Sequence, residues 1–172
     1  HGIEQRRVDR MPLHQRRGIG AVLMRDALGR LDGLHVAIVG DVLHSRVARS
    51  LIEALALVGA RTTLVGPPTL LPRGIERMGC EVTSEIGAIG AADVVYVLRM
   101  QRERMLAGAA YVPSLREYAM ELGVSPARLR PGQIVMHPGP MNRGVEIDPR
   151  VADSDVSLIT EQVRSGLVVH QI

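Results

Sequence analysis

Short apolar runs rich in β-branched residues recur along the chain, and each is bounded by glycine, proline or polar residues. The run at 36–39 lies between Gly33 and Gly40, which is the pattern of a buried strand. The same pattern predicts further strands at 61–65, 80–83, 91–98 and 133–136.

Segments with a helical spacing of apolar residues lie between these runs. Ser45 can cap a helix whose apolar positions extend to Leu57 and which ends at Gly59. Further helices are predicted at 70–78, 114–122 and 158–163, with a short helical turn opened by Asp148. Strands that alternate with helices in this way form βαβ units. We therefore predict an α/β fold, a doubly wound parallel sheet with helices on both faces.

Residues 1–24 lack a clean helical or strand period and are predicted to be irregular or poorly ordered. They hold five arginines against two acidic residues, while the remaining 148 residues hold 16 arginines and 16 acidic residues. The pI of about 9.7 is therefore a property of the first segment, and with so few aromatic residues it does not predict a nucleic-acid surface. No apolar run has the length of a membrane span. The single cysteine, Cys80, excludes an internal disulfide and is typical of a cytoplasmic protein.

Residues that follow the strands are the candidate site, because ligands of doubly wound sheets bind beyond the carboxyl ends of the strands. The first strand ends at Gly40, but the two further glycines of a dinucleotide-binding loop are missing, which argues against a nucleotide-binding dehydrogenase. Arg46 instead stands at the start of the following helix, where its planar guanidinium suits a carboxylate. The alternative interpretation is an ordinary solvated arginine in a first helical turn.

Two later strand ends carry further candidates. Arg99 directly follows an apolar run, and Gln101 lies on the same side if the strand continues that far. The alternative is a helix start in which Glu103 pairs with neighbouring arginines. Pro138 and Gly139 follow the last strand in a rigid turn, whose backbone carbonyls can accept hydrogen bonds from a ligand amine or amide. An ordinary structural turn is the alternative there.

Four motifs occur in order: Gly-Asp-Val-Leu-His-Ser-Arg at 40–46, Gly-Pro-Pro-Thr at 66–69, Leu-Arg-Met-Gln-Arg-Glu-Arg at 98–104 and His-Pro-Gly-Pro-Met-Asn-Arg-Gly at 137–144. Together they closely resemble the second, aspartate-binding domain of aspartate carbamoyltransferase, over residues 25–163. The resemblance implies that Arg46 and Arg99 bind the carboxylates of aspartate and that Gln101 helps to place its amine. It also implies that the backbone carbonyls of Pro138 and Gly139 are catalytic groups, which hold the carbamoyl and amino groups in reacting geometry.

The activity implied by the resemblance is a carbamoyl transfer in pyrimidine biosynthesis. The amine of L-aspartate attacks carbamoyl phosphate, phosphate leaves and N-carbamoyl-L-aspartate forms, with no metal or organic cofactor. The family's catalytic unit is a homotrimer, and dihydroorotase or a regulatory chain is a further expected partner. The related ornithine enzymes typically carry a His-Cys-Leu-Pro turn and acidic residues near the substrate amine, so Gly139 and Arg99 favour aspartate.

Some motifs of the family are missing from the 172 residues. Neither the Ser-Thr-Arg-Thr loop nor the His-Pro-Thr-Gln segment of the carbamoyl-phosphate domain occurs in them. They also contain no lysine, so the lysine that the family contributes from a neighbouring chain is missing as well. We therefore expect 1–24 to be a remnant of that domain, or its replacement. We expect 25–172 to be an aspartate-binding domain truncated at its C-terminal helix, as in a fragment or a disrupted reading frame.

The missing motifs bear on function as well. The chain alone is expected to have little or no transferase activity. The alternative is a non-catalytic binding or assembly subunit that pairs with a complete carbamoyltransferase or with dihydroorotase, and a large exposed apolar face would favour it.

Overall fold

The structure, a computed structural model, describes residues 19–101 and 114–162. Their helices and strands are α1 (Ile19–Leu28), β1 (His35–Val39), α2 (Arg46–Leu57), β2 (Arg61–Val65), β3 (Glu81–Thr83), β4 (Val94–Val97), α3 (Leu115–Leu122), β5 (Ile134–Met136) and α4 (Pro149–Ala152). Short 3₁₀ segments span Pro68–Leu70, Ile75–Met78, Ile86–Ala91 and Pro126–Arg128.

The five strands form one parallel sheet in the order β3-β2-β1-β4-β5. The order reverses at β1, which pairs with β2 on one side and with β4 on the other. Val39 at the end of β1 is level with Val97 at the end of β4, so the carboxyl ends of the two strands lie side by side. The predicted doubly wound fold is confirmed, and its switch point lies between β1 and β4.

Aliphatic side chains cover both faces of the sheet. On one face, α1 and α2 contribute buried residues such as Met24 and Leu51 to a cluster that also contains Val36. On the other face, α3 contributes Tyr118 to a cluster that contains Ala37. Alternate residues of β1 thus enter opposite layers, and every residue of this strand is buried. The prediction of helices on both faces is confirmed.

Local signals in the sequence set the bounds of α2 and β2. The Ser45 hydroxyl caps α2 by accepting a hydrogen bond from the Ala48 backbone N–H (3.1 Å). The helix ends at Leu57, followed by Gly59 with a φ of 75°. The predicted strand at 61–65 agrees with β2 at both ends.

Two predicted elements differ from the structure by more than one residue at a described end. The helix predicted at 70–78 was wrong, because Pro72 and Gly74 (φ 74°) separate the chain into two 3₁₀ segments. The strand predicted at 91–98 is shorter, since β4 spans only Val94–Val97 and residues 86–91 form a 3₁₀ helix. Asp93 at this boundary uses its carboxylate to accept a hydrogen bond from the His35 backbone N–H (2.9 Å).

The prediction of irregular structure over 1–24 was wrong for residues 19–24, which belong to α1. This helix packs on α2 and buries Met24 completely. A Cβ atom at Gly20 would lie 3.2 Å from a ring carbon of Tyr96, so the close approach of the helix to the sheet depends on that glycine. Residues 1–18 lie outside the described residues.

The helix predicted at 158–163 is helical over 159–162, and residue 163 lies outside the described part. Among the described residues, no helix combines the length and the apolar character needed to cross a membrane.

Candidate functional site

The carboxyl ends of β1, β4 and β5 bring three loops together at one edge of the sheet. Gly40 follows β1 with a φ of 118°, and a Cβ atom there would lie 3.0 Å from the Tyr118 hydroxyl and 3.1 Å from the Leu98 carbonyl oxygen. A larger residue would therefore push the ends of β1 and β4 apart. Glycine at this position allows the first two loops to lie next to each other.

The loop between β1 and α2 is organised around the fully buried Asp41. The Asp41 carboxylate accepts hydrogen bonds from the backbone N–H of His44 (3.1 Å) and from its ring Nδ1 (2.9 Å). Two residues further on, Arg46 is the first residue of α2, and it is exposed. The buried carboxylate thus fixes the loop that carries the exposed guanidinium.

The loop after β4 contains Arg99 and Gln101, both half-buried. The Gln101 side-chain amide donates a hydrogen bond to the His44 carbonyl oxygen (3.0 Å). This bond joins two loops that lie 57 residues apart in the sequence. The strand β4 ends at Val97, so the two-residue strand period that predicted Gln101 on the same side as Arg99 does not apply. Gln101 lies at the same edge of the sheet because it belongs to the loop that follows β4.

The turn after β5 contains Pro138 and Gly139, both half-buried. Gly139 has a φ of 63°, and its bond to Pro140 is cis. The Asn142 side-chain amide donates a hydrogen bond to the Met100 carbonyl oxygen (3.1 Å), which joins this turn to the loop after β4. All three loops are therefore connected by side chain to backbone hydrogen bonds.

A buried polar group underlies the third turn. His137 and Glu146 are both fully buried, and the His137 ring Nε2 lies 3.2 Å from a Glu146 carboxylate oxygen. The same oxygen accepts the Asn142 backbone N–H (2.6 Å). Burial, followed by the negative charges of Glu146 and Asp41, raises the pKa of Tyr118 above its ordinary value.

Three of these supporting residues, Asp41, His137 and Glu146, were not among the sequence candidates, although they lie in or beside the motifs. An acidic residue just beyond the end of a buried strand, as at Asp41 after Gly40, is the signal that could have indicated one of them. Glu146 has no such signal, because its partners are set by the path of the turn. Among the described residues, no group of three or more His, Cys, Asp or Glu side chains could hold a metal ion.

The assembled edge offers two kinds of polar group. Guanidinium groups, at Arg46 and Arg99, favour carboxylates or other anions, and the N-terminus of α2 adds the positive end of a helix dipole. Acceptor groups, the Gln101 amide oxygen and the carbonyls of Pro138 and Gly139, favour an N–H donor. A small zwitterion with one amine and additional carboxylate charge matches this combination.

Comparisons with known proteins agree with the fold and the motifs. The family model "Aspartate/ornithine carbamoyltransferase, Asp/Orn binding domain" matches residues 32–171. The catalytic subunit of aspartate carbamoyltransferase from Gluconacetobacter diazotrophicus is 56% identical over 156 residues, which cover 88% of this chain and 48% of that protein. The corresponding subunit from Sorangium cellulosum is 53% identical over 155 residues, with the same coverage.

Among solved structures, the Trypanosoma cruzi aspartate transcarbamoylase in complex with carbamoyl phosphate and aspartate superposes with a TM-score of 0.73 at 25% identity. That match covers 90% of this chain and 53% of the other. The chain thus spans about half the length of the curated relatives and of the solved structure that it matches. On the extent of the family match and the identity to these relatives, the chain belongs to the Asp/Orn binding domain family of the aspartate and ornithine carbamoyltransferases and is a homologue of the aspartate carbamoyltransferase catalytic subunit.

Proposed function

We propose that this chain supplies the aspartate-binding half of an aspartate carbamoyltransferase active site. The reaction transfers the carbamoyl group of carbamoyl phosphate to L-aspartate and gives N-carbamoyl-L-aspartate and phosphate, a step of pyrimidine biosynthesis. The observation that carries the proposal is the joining of three motif loops at one sheet edge by the hydrogen bonds of Gln101 and Asn142. All five candidate residues lie in or directly beside these joined loops.

In this proposal Arg46 and Arg99 bind the carboxylates of aspartate. A guanidinium group forms two parallel hydrogen bonds with a carboxylate, which fixes the orientation of the substrate as well as its charge. Arg46 is exposed on the first turn of α2, and Arg99 lies half-buried beyond β4. The two groups therefore approach the ligand from neighbouring strands on the two sides of the switch point.

The amine of aspartate is proposed to lie between Gln101 and the turn after β5. The Gln101 side-chain nitrogen already donates to His44, so its oxygen is the atom that accepts from the amine. The carbonyls of Pro138 and Gly139 accept from the amine and from the carbamoyl NH₂ group.

The attack forms a C–N bond from the neutral amine to the carbamoyl carbon and breaks the C–O bond to phosphate, which leaves with that electron pair. The proton lost from the amine nitrogen passes to the leaving phosphate, which departs as hydrogen phosphate. The residues of this chain orient the amine for that attack, and such positioning accounts for a large part of the rate in reactions of this kind.

The first test is an amide NMR titration of the 172-residue chain with L-aspartate and, separately, with L-ornithine. We expect saturable chemical-shift changes around Arg46, Arg99 and Gly139 with aspartate but not with ornithine. The guanidinium groups of the site suit the side-chain carboxylate of aspartate, whereas the side chain of ornithine ends in an ammonium group. Equal responses to the two amino acids, or no response to aspartate in a well-dispersed spectrum, would contradict the proposed function.

A second test concerns catalysis by the 172 residues alone. They contain neither of the family's carbamoyl-phosphate segments, so we expect them to bind aspartate without forming carbamoyl aspartate above the uncatalysed rate. A colorimetric ureido assay at saturating carbamoyl phosphate measures this, with a complete aspartate carbamoyltransferase as positive control. Substantial turnover by the chain alone would show that it holds both substrates.

On the family resemblance we further propose a cytoplasmic location and a homotrimeric catalytic unit. The competing idea of a non-catalytic assembly subunit has no specific support. In the described part, the exposed large apolar side chains lie on three segments: Val47, Leu57 and Val58 on α2 and its C-terminal cap, Met120 on α3, and Val156 after α4. Val47 and Leu57 lie near opposite ends of α2, about 15 Å apart at 1.5 Å per residue.

A further inference from the structure

We infer that His137, held by Glu146, is a positioning residue that directs the Pro138 carbonyl into the site and thereby gives the site its selectivity for a ligand amine. This inference rests on the proposed function, because it assigns a cause to the geometry of the turn that receives the amine. His137 itself is fully buried and touches the turn from inside the protein.

The position of the proton on His137 follows from its two hydrogen bonds. The ring Nδ1 accepts a hydrogen bond from the Gly139 backbone N–H (2.8 Å), so Nδ1 carries no proton. The proton of the neutral ring is therefore on Nε2, which donates it to the Glu146 carboxylate oxygen 3.2 Å away. Glu146 fixes the tautomer and the ring orientation, as a carboxylate partner does for many functional histidines.

The Gly139 N–H determines where the preceding carbonyl points. Residues 138 and 140 are prolines without an N–H, so Gly139 is the one backbone donor within 138–140. The peptide group between Pro138 and Gly139 is trans, and its C=O and N–H point in opposite directions. Because the N–H points inward to His137, the Pro138 carbonyl points away from the ring, toward the opposite side of the turn.

Glu146 holds the far side of the same turn. The oxygen that accepts from His137 also accepts the Asn142 backbone N–H (2.6 Å). Asn142 in turn reaches the Met100 carbonyl in the loop after β4. One buried carboxylate therefore fixes both ends of the turn and its distance from the loop that contains Arg99 and Gln101.

The consequence for recognition is specific to the amine. Carboxylates of the ligand interact with the arginines, whereas the carbonyls can recognise only an N–H donor. L-aspartate and succinate carry the same two carboxylates and differ by the amine. The ratio of their affinities therefore measures the contribution of the amine contacts. If His137 positions the Pro138 carbonyl, the loss of its bond to Gly139 should lower this ratio without changing the affinity for succinate.

Two variants of His137 separate its two hydrogen bonds. In His137→Asn the amide oxygen replaces Nδ1 and can still accept from Gly139, but the bond to Glu146 is lost. In His137→Gln the amide nitrogen replaces Nε2 and can still donate to Glu146, but the bond to Gly139 is lost. Each variant is titrated with aspartate and with succinate by NMR on the full 172-residue chain, beside the unsubstituted chain.

We expect the unsubstituted chain and His137→Asn to prefer aspartate over succinate, and His137→Gln to lose about tenfold of that preference, the lower range for a hydrogen bond to a charged group. Succinate affinity should stay within about twofold in both variants, a change below 0.5 kcal/mol. The inference would be overturned if both variants kept the preference for aspartate over succinate, or if both lost it equally. It would also be overturned if the affinity for succinate fell in parallel with the affinity for aspartate.

A second measurement decides the matter if the variants do not fold. Long-range ¹⁵N–¹H spectra of the histidine-labelled unsubstituted chain report the tautomer of His137 directly. A neutral ring protonated on Nε2 supports the inference, and a proton on Nδ1 overturns it. If the unsubstituted chain binds neither aspartate nor succinate, the proposed function fails, while the tautomer still tests the geometry of the turn.

Discussion

Arg99→Ala is expected to weaken L-aspartate binding by about 30-fold, or about 2 kcal/mol, which is the usual cost of removing one hydrogen-bonded charged partner. Arg99 is half-buried in the loop that immediately follows β4, so its guanidinium is more shielded from water than a surface arginine. The shielding strengthens its attraction to a ligand carboxylate. The measurement is the dissociation constant of L-aspartate from the NMR titration of the variant.

A matched pair of variants on α2 controls for the change in net charge. Arg46 and Arg49 are both exposed on the first turn of this helix, but only Arg46 is assigned to the site. We expect Arg46→Ala to weaken aspartate binding about tenfold and Arg49→Ala by less than twofold, because Arg49 is assigned no hydrogen bond to the ligand and an exposed charge without one is screened by salt. Equal effects of the two substitutions would mean that aspartate responds to overall charge and has no defined site at this edge.

The sequence was sufficient to predict elements whose signals are local. The cap at Ser45, the turn at Gly59 and the β-branched run at 61–65 gave α2 and β2 their bounds. The candidate residues were located in the same way, because the carboxyl end of each strand can be read from the residue at which an apolar run ends. Parallel order then brings those ends to one edge, although their distances from each other cannot be read from the sequence.

Features that depend on distant contacts were not predictable. Residues of α1 carry no clear helical period, and the helix is stabilised by packing Gly20 against Tyr96 and Met24 into the core. The bond from Gln101 to His44 joins residues 57 positions apart, and no pattern along the chain indicates it. The same limit applies to Glu146, whose role comes from the folded path of the turn.

The supporting residues have a property in common that explains why they were missed. Asp41, His137 and Glu146 are fully buried and cannot contact a ligand directly. A search for ligand-binding side chains at the ends of strands therefore does not select them. Each of them instead accepts a backbone N–H of a loop that carries a site residue. The candidate site residues, which are exposed or half-buried, and the fully buried residues that bind their loops thus form two layers, and the motifs contain residues of both.

Asp41→Ala is expected to lower the free energy of unfolding by about 3 kcal/mol, because it leaves the His44 backbone N–H and ring Nδ1 without their acceptor in a buried loop. The same substitution should weaken aspartate binding, since Arg46 begins α2 two residues after His44 and Gln101 bonds to the His44 carbonyl. Urea unfolding followed by circular dichroism gives the free energy, provided that the slope with urea is unchanged.

The controls for Asp41→Ala separate charge from hydrogen bonding. Asp155→Ala removes an exposed carboxylate and should change stability by less than about 0.5 kcal/mol. Asp41→Asn keeps one oxygen that can accept the His44 N–H but removes the charge, so its stability should lie between those of Asp41→Ala and the unsubstituted chain. If Asp41→Ala were as stable as Asp155→Ala, the buried carboxylate would not be what orders the loop. The position of Arg46 would then have to come from the Ser45 cap and the packing of α2 alone.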